Sequence, residues 1–323
     1  MTSVSNTVHK LLLAAPRGYC AGVDRAVQTV ERALEIHGAP VYVRKEIVHN
    51  KHVVARLRER GAIFVDEHTE VPEGSVCVFS AHGVAPSVRE GSIERRLHTI
   101  DATCPLVTKV HREAARFAED GYTIVLVGHD GHEEVEGTMG HAPDRIVLVQ
   151  DEKDVETLEV EDPDRVAYVT QTTLAVDETT AILERLRERF PKIVGPRTDD
   201  ICYATTNRQA AVKKMADSCD LLLVIGSRNS SNSVRLVEVA RDCGTEAHLL
   251  DNAGEIREEW LDGAGVVGIS SGASAPEDLV AELVDFFRAR GVVDISEFDV
   301  VREDVRFMLP KQIRQAVAAG EAS

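Results

Sequence analysis

The feature that most narrows the folds open to this chain is a repeated order: a short apolar run, a polar loop, then an amphipathic helical stretch. Runs such as YTIVLVG, LLLVIG and VVGIS are of strand length and aliphatic enough to be buried on both faces. Parallel strands need a helix-length crossover between them, so this order predicts α/β architecture with mainly parallel sheets. Further strands are expected at PVYVRKEIV, SVCVFSA, HTIDAT, RIVLVQ, RVAYVT and HLLD. The helical stretches AVQTVERALEIHG, VTKVHREAARFAEDG and VRLVEVARDCG each end on a glycine suited to cap them. Three such groupings follow one another, at residues 11–103, 104–200 and 201–290, and predict three similar lobes without a letter-by-letter repeat. The first strand is open to pairing with the third lobe. Residues 291–323 form a C-terminal extension whose alternating apolar positions suggest a hairpin or a closing strap.

Composition limits the function classes. The 323 residues are 43% apolar and 28% charged, enough for a globular chain with a sizeable core. No apolar run reaches membrane-spanning length, and the N-terminal MTSVSNTVHK lacks the basic-then-apolar pattern of a secretory signal, so the expected location is the cytoplasm, with no membrane partner. A net charge of −17 argues against a nucleic-acid partner, whose phosphates demand a basic face. An anionic small molecule would have to be held by local donors against the overall field.

The six cysteines fall into two groups. Cys20, Cys104 and Cys202 each end an apolar or polar run just before a helix, where free N–H groups and the helix dipole stabilise a thiolate. Pro105 suits a first helical position, and Thr205 or Thr206 is a candidate cap for the helix after Cys202. Cys77 lies within a strand, while Cys219 and Cys243 lie at helix ends where the dipole disfavours a thiolate; these three are assigned to the core or its edge. The wide spacing of the first group does not match a zinc ribbon or a ferredoxin, which cluster their cysteines locally. Only the fold can unite them. Ordinary buried cysteines are the plain alternative; three thiolates without an obvious fourth favour an iron–sulfur cluster with one open iron over a closed zinc site.

In parallel α/β sheets ligands gather at the carboxyl ends of strands. The residues expected there are His49 and Asn50, His82 and Gly83, His132 with Glu133 and Glu134, Gln171 with Thr172 and Thr173, Ser230 with Ser231 and Asn232, and Ser274. Imidazole, hydroxyl and amide donors of this kind suit a phosphate or diphosphate. Neither GxxxxGK[ST] nor a GxGxxG after a strand is present, so the expected substrate is small and is not a nucleotide held by those loops. HDGHEEVEG does not match H-E-x-x-H, which argues against a zinc protease.

The motifs APRGYCAGVDRAV, EIVHN, SAHGV, DATCPLVTKVH, GHEEVEGTMGH, TQTTL, ICYATTNRQ, GSRNSSNS and SGASAP, in this order across most of the chain, resemble the 4-hydroxy-3-methylbut-2-enyl diphosphate reductase family of LytB-type iron–sulfur enzymes. The resemblance implies a pseudo-threefold trefoil of three α/β lobes around a 4Fe-4S cluster held by Cys20, Cys104 and Cys202. It implies reductive removal of the substrate's allylic hydroxyl, the last step of the non-mevalonate isoprenoid pathway. His49, His82, Ser230, Asn232 and Ser274 would hold the diphosphate, with His132 and Ser231 contributing; Glu134 would deliver protons, and Thr172 would orient it and the hydroxyl. Reduced ferredoxin or flavodoxin would be the electron donor, and both being acidic, a local basic patch would be needed for docking. The rival readings are a three-cysteine lyase or dehydratase of the quinolinate synthase kind and a non-enzymatic iron–sulfur sensor.

Overall fold

Five consecutive aliphatic residues, all of them buried, make Leu221–Ile225 a strand with no polar face, and the elements around it cover both sides. The computed structural model describes residues 8–321. Its strands are β1 (Lys10–Ala15), β2 (Val41–Arg44), β3 (Ala62–Val65), β4 (Val76–Phe79), β5 (His98–Asp101), β6 (Thr123–Val127), β7 (Ile146–Val149), β8 (Val166–Thr170), β9 (Leu221–Ile225), β10 (Glu246–Leu250), β11 (Val266–Ser271) and β12 (Asp294–Asp299). The helices are α1 (Ala21–His37), α2 (Lys51–Glu59), α3 (Pro86–Glu94), α4 (Pro105–Glu119), α5 (Glu133–Met139), α6 (Glu152–Thr157), α7 (Val176–Arg189), α8 (Tyr203–Ala216), α9 (Ser231–Asp242), α10 (Glu277–Arg288) and α11 (Lys311–Glu321). They form three sheets, ordered β10-β9-β11-β1-β12, β3-β2-β4-β5 and β7-β6-β8, in which every strand pair is parallel. Among the described residues no helix is long and apolar enough to cross a membrane.

The chain divides into two compact units. The first contains the five-stranded sheet: the chain as far as Cys20, His49–Lys51 and Tyr203–Val305. One face of this sheet packs Leu11, Leu223, Ile225 and Ile269 against Leu279, Leu283 and Phe287 of α10; the other packs Leu12, Leu222 and Val224 against Met215 of α8 and Leu236 of α9. Side chains of this kind each contribute about 1.5–3 kcal/mol by leaving water. The second unit, Ala21–Val48, His52–Cys202 and the chain from Arg306, contains the other two sheets. Its α4 shows how local sequence sets an element: Cys104 is the N-cap, Pro105 opens the helix, and Val107, Val110, His111, Ala114 and Phe117 form the buried stripe. The helix is closed by Gly121 at φ 79°, and Gly38 (φ 72°) and Gly244 (φ 85°) follow α1 and α9 in the same way.

Several expectations are corrected. The run PVYVRKEIV makes a strand only to Arg44, because Lys45 turns to φ 58°, a left-handed conformation that ends the extended backbone. GAIFV, not anticipated as a strand, forms edge strand β3 beside β2. Thr205 and Thr206 lie inside α8 rather than capping it, and Thr206 Oγ1 donates to the Tyr203 carbonyl at 3.0 Å. Among the described residues the C-terminal extension makes no hairpin: β12 runs parallel to β1 at the sheet edge, and a stretch from 300 to 310 without regular secondary structure leads into α11. Its alternation is that of an edge strand half open to solvent.

Within the second unit His111 is 3% exposed, its ring 4.3 Å from that of His141, and its Nε2 has no hydrogen-bond partner among the described residues. Burial, then the neighbouring His141 and Arg89, push His111 down to about 3, and burial also lowers His141. A folded value below the unfolded one means that the unfolded chain takes the proton first. Stability is therefore full above about pH 6.5 and declines as pH falls from there toward about 3, with a slope near 1.4 kcal/mol per pH unit for one such group. Urea midpoints measured from pH 7.5 to 5 should fall less steeply for His111→Leu than for the parent chain; identical acid limbs would refute this assignment.

Candidate functional site

The strongest constellation in the second unit begins at the exits of β6 and β8. Gly128 follows β6 because a Cβ there would lie 2.7 Å from Val135 Cγ2 of α5, so the helix can pack close over the strand end. Gln171 Oε1 accepts from the His129 N–H at 3.1 Å, joining the two strand exits. This delivers Glu134, 2% exposed, against Thr172: the Thr172 N–H donates to Oε1 at 2.6 Å and the Thr172 hydroxyl donates to Oε2 at 3.0 Å. A buried carboxylate held at both oxygens is fixed in position, each charged bond contributing about 1.5–3 kcal/mol. The Thr172 carbonyl then accepts from the Cys202 N–H at 3.1 Å, so the acid, the threonine and a cysteine form one hydrogen-bonded series. Behind them Asp200, buried, accepts from the Thr170 N–H at 3.0 Å and pairs with Lys109 at 2.9 Å; burial outweighs Lys109 and raises its carboxyl.

His132 caps α5, its Nδ1 accepting from the Glu134 N–H at 3.1 Å, which puts the proton of the neutral ring on Nε2. His82, after β4, has Nδ1 3.0 Å from Glu133 Oε2, and its ring stands edge-on to His132 at 5.9 Å between centroids. The turn at Gly83 (φ 85°) rests on the buried His111 ring, whose Cε1 lies 2.5 Å from where a Cβ would be.

In the first unit the donors collect at the exits of β9 and β11 and the start of α9. Ser230 is the N-cap; its hydroxyl accepts from Ser233 Oγ at 2.9 Å and lies 3.4 Å from Ser274 Oγ. Ser274 Oγ also donates to the His49 carbonyl at 2.9 Å. Asn232 accepts from the Ala273 N–H at 2.9 Å through Oδ1 and donates to Thr205 through Nδ2 at 3.3 Å. Ser230, Asn232 and Ser274 are all buried, and Ser231, the first residue of α9, is half-buried. Gly226 and Gly272 make this approach possible, since a Cβ would meet Ser233 Oγ at 2.2 Å and 1.9 Å. Cys20 joins the same group, its N–H donating to the Ala273 carbonyl at 3.1 Å.

The sorting of the cysteines has a physical counterpart. No disulfide joins any of the six. Cys20, Cys104 and Cys202 are half-buried and immediately precede α1, α4 and α8. Burial pushes the Cys77 thiol up to about 12 and that of Cys219 up to about 11, so neither is a thiolate near neutrality. Cys243, assigned to the core or its edge, is exposed at the C-cap of α9. Partly accessible sulfurs at three helix starts fit the donor chemistry of an iron–sulfur cluster; the other three fit it poorly.

Residues 11–288 match the LytB protein family profile. The chain belongs to the LytB family. A curated relative, the 4-hydroxy-3-methylbut-2-enyl diphosphate reductase of Leifsonia xyli subsp. xyli (strain CTCB07), is 61% identical over 310 residues, covering 96% of this chain and 92% of the relative. The solved E-1-hydroxy-2-methyl-but-2-enyl-4-diphosphate reductase of Plasmodium falciparum superposes with a TM-score of 0.94 at 37% identity, covering 97% of this chain and 99% of that one. A second solved structure, described as (E)-4-hydroxy-3-methyl-but-2-enyl diphosphate reductase, the terminal enzyme of the non-mevalonate pathway, has a TM-score of 0.63 at 32% identity, covering 87% and 100%.

Sequence reasoning about this LytB chain missed the supports. Asp200 lies outside the quoted motifs, two residues before Cys202, and Ser233, though it closes the motif GSRNSSNS, was given no role. Gly226 and Gly272 stand inside the motifs GSRNSSNS and SGASAP, yet their packing against Ser233 was not anticipated. Gly272→Ala should force Ser233 and the α9 start outward and cost about 1–3 kcal/mol, as overpacking does. Denaturant unfolding of the purified variant checks this, and an unchanged midpoint would contradict the close packing.

Proposed function

We propose that this chain is a 4-hydroxy-3-methylbut-2-enyl diphosphate reductase, an oxidoreductase of the non-mevalonate isoprenoid pathway, with Cys20, Cys104 and Cys202 holding a 4Fe-4S cluster. Two electrons and two protons remove the allylic hydroxyl of the substrate as water, and the products are isopentenyl and dimethylallyl diphosphate. The observation that carries this reading is the buried series from Glu134 through Thr172 to the backbone of Cys202, which ties a proton-handling carboxyl to a metal-ligating position. Family membership and the reductase names of relatives matching nearly the whole chain support it.

When bound, the cluster supplies the electrons and a Lewis-acidic iron for the departing oxygen. The residues supply the rest. Hydroxide leaves poorly, so Glu134 in its protonated form donates to the leaving oxygen. The Thr172 hydroxyl, within bonding distance of Glu134 Oε2, can reverse its direction to accept that proton or steer it. Burial of Glu134 and Thr172 keeps water from competing for the proton. In an acidic chain the diphosphate must be recognised by local donors, and Ser230, Asn232 and Ser274 offer buried hydroxyl and amide groups beside the first turn of the twelve-residue α9. His49 and Ser231 of the first unit and His82 and His132 of the second are assigned to the same diphosphate. Reduced ferredoxin or flavodoxin is the proposed electron donor. The reducing cytoplasm is the compartment suited to thiolate ligands and to such a donor.

An anaerobic assay with reduced methyl viologen and the hydroxylated diphosphate tests the reading: it should yield both products. A dehydratase or a sensor would yield neither. Cys20→Ser, Cys104→Ser and Cys202→Ser should each abolish stable iron binding, whereas Cys77→Ser, Cys219→Ser and Cys243→Ser should retain it. Iron analysis showing loss in both groups would refute the assignment. Glu134→Gln should keep the cluster and bind substrate while turnover drops about 10²- to 10⁴-fold; turnover at the parent rate would remove Glu134 from proton delivery.

A further inference from the structure

The helix after each of the three assigned cysteines carries a cation at the fifth or sixth position beyond it: Arg25 on α1, Lys109 on α4 and Arg208 on α8. None of the three touches the residues assigned to proton delivery or diphosphate binding by any contact described above. Each instead grips main-chain carbonyls shortly before the next cysteine along the chain, and the third returns to the first. Arg25 donates to the carbonyls of Ala102 at 2.9 Å, Thr103 at 3.1 Å and Asp101 at 3.4 Å, the three residues leading into Cys104. Lys109 Nζ donates to the carbonyls of Thr198 and of Asp199, the latter at 2.9 Å, and to the Asp200 carboxylate at 2.9 Å, on the approach to Cys202. Arg208 donates to the Gly18 carbonyl at 2.7 Å, on the approach to Cys20.

The C-terminal stretch between β12 and α11 completes two of these clasps. Within the second unit the Met308 carbonyl accepts from Arg25 Nε at 2.8 Å; within the first, Glu303 pairs with Arg208 at 3.0 Å. The Arg208 side chain is fully buried, an unfavourable place for a guanidinium; Glu303, Gly18 and Ala204 pair its two terminal nitrogens, and only Nε has no partner among the described residues. A core packing role would be filled more cheaply by an apolar side chain. A cation whose donors converge on main-chain carbonyls orders a loop instead.

We propose that Arg25, Lys109 and Arg208 are positioning residues for the cluster, a cyclic set of cationic clasps in which the helix after one cysteine sets the backbone that presents the next. The proposal rests on the reading that Cys20, Cys104 and Cys202 hold a cluster. Ligand sets must be held to within about 0.5 Å by groups that are themselves fixed, and a cysteine at a loop-to-helix junction is fixed on its helix side only. The clasps supply the loop side, and the C-terminal stretch, whose role the sequence does not disclose, anchors two of them.

The test uses the full-length chain, purified and reconstituted anaerobically, with the variants Arg25→Gln, Lys109→Met and Arg208→Met. Arg44→Met, which removes the ion pair between the largely buried Arg44 of β2 and the half-buried Glu67, serves as the control. Circular dichroism establishes folding, and the readouts are the electron paramagnetic resonance signal of the cluster and the rate at which a chelator strips its iron. The three variants should be folded, show an altered resonance signal and yield iron about 10- to 100-fold faster, the usual effect of removing supports outside the ligands. Arg44→Met should match the parent, and Lys109→Arg and Arg208→Lys, which keep a donor in place, should recover most of the loss. If Lys109→Met and Arg208→Met prevent folding, Arg25→Gln, at a half-buried position, decides: an altered signal with faster iron loss supports the clasps, and a parental signal and rate overturn them. Folded variants with parental signals and parental chelation rates would overturn the clasps alone. A parent chain that takes up no iron would overturn the cluster reading itself.

Discussion

All strand pairs in the described residues are parallel, and a parallel sheet sends its carboxyl ends out along a single edge. The polar clusters of both units depend on that constraint. The exits of β6 and β8 carry the Glu134 helix and the Thr172 loop, while the exits of β9 and β11 carry Ser230, Asn232 and Ser274. Two segments far apart in sequence, around 132 and 172, meet because their strands are hydrogen-bonded neighbours with Val127 opposite Thr170. Helix starts lie at the same edge, so helix dipoles arrive with the side chains.

Close approach at these edges is obtained by deleting side chains. Gly128, Gly226 and Gly272 stand where a Cβ would collide with the following helix or its first turn. The polar groups brought together in this way are buried, so they must satisfy one another, and they do so through serine-to-serine, amide-to-backbone and carboxylate-to-threonine bonds. Such a network is rigid, which suits recognition of a small anion by a chain whose overall charge opposes it. Charge is placed locally against that background. Burial pushes the Asp101 carboxyl up, but Arg89 and the Thr103 donors outweigh it and hold it below its ordinary value near Cys104, while at Asp200, near Cys202, burial prevails over Lys109 and raises the carboxyl.

What was legible in the sequence divides along the range of the interactions involved. Strands with consecutive aliphatic residues, such as β6 and β9, and helices closed by glycine, such as α1, α4 and α9, announce themselves because burial and capping act over a few neighbouring residues. The motif-bearing side chains were legible for the same reason, each lying next to a strand end or a helix start. Edge elements were not. β3, as short as β4 and β7 but with only Ala62 buried, was not anticipated, and β12 alternates like a hairpin strand although it pairs in parallel with β1. Thr205 and Thr206 looked like caps, yet the helix begins before them at Tyr203.

From its order of residues alone, this chain declares parallel α/β sheets, three cysteines at helix starts and a set of small polar donors at strand exits, because periodicity, caps and turn residues are local physics. The tertiary structure alone decided that β1 joins strands from the far end of the chain, that Thr172 grips both oxygens of Glu134, and that Arg208 reaches back to the Gly18 carbonyl. Those contacts span tens to hundreds of residues, and no local propensity encodes a partner at that distance. They exist only once the sheets have buried their apolar faces and carried the distant segments within hydrogen-bonding reach.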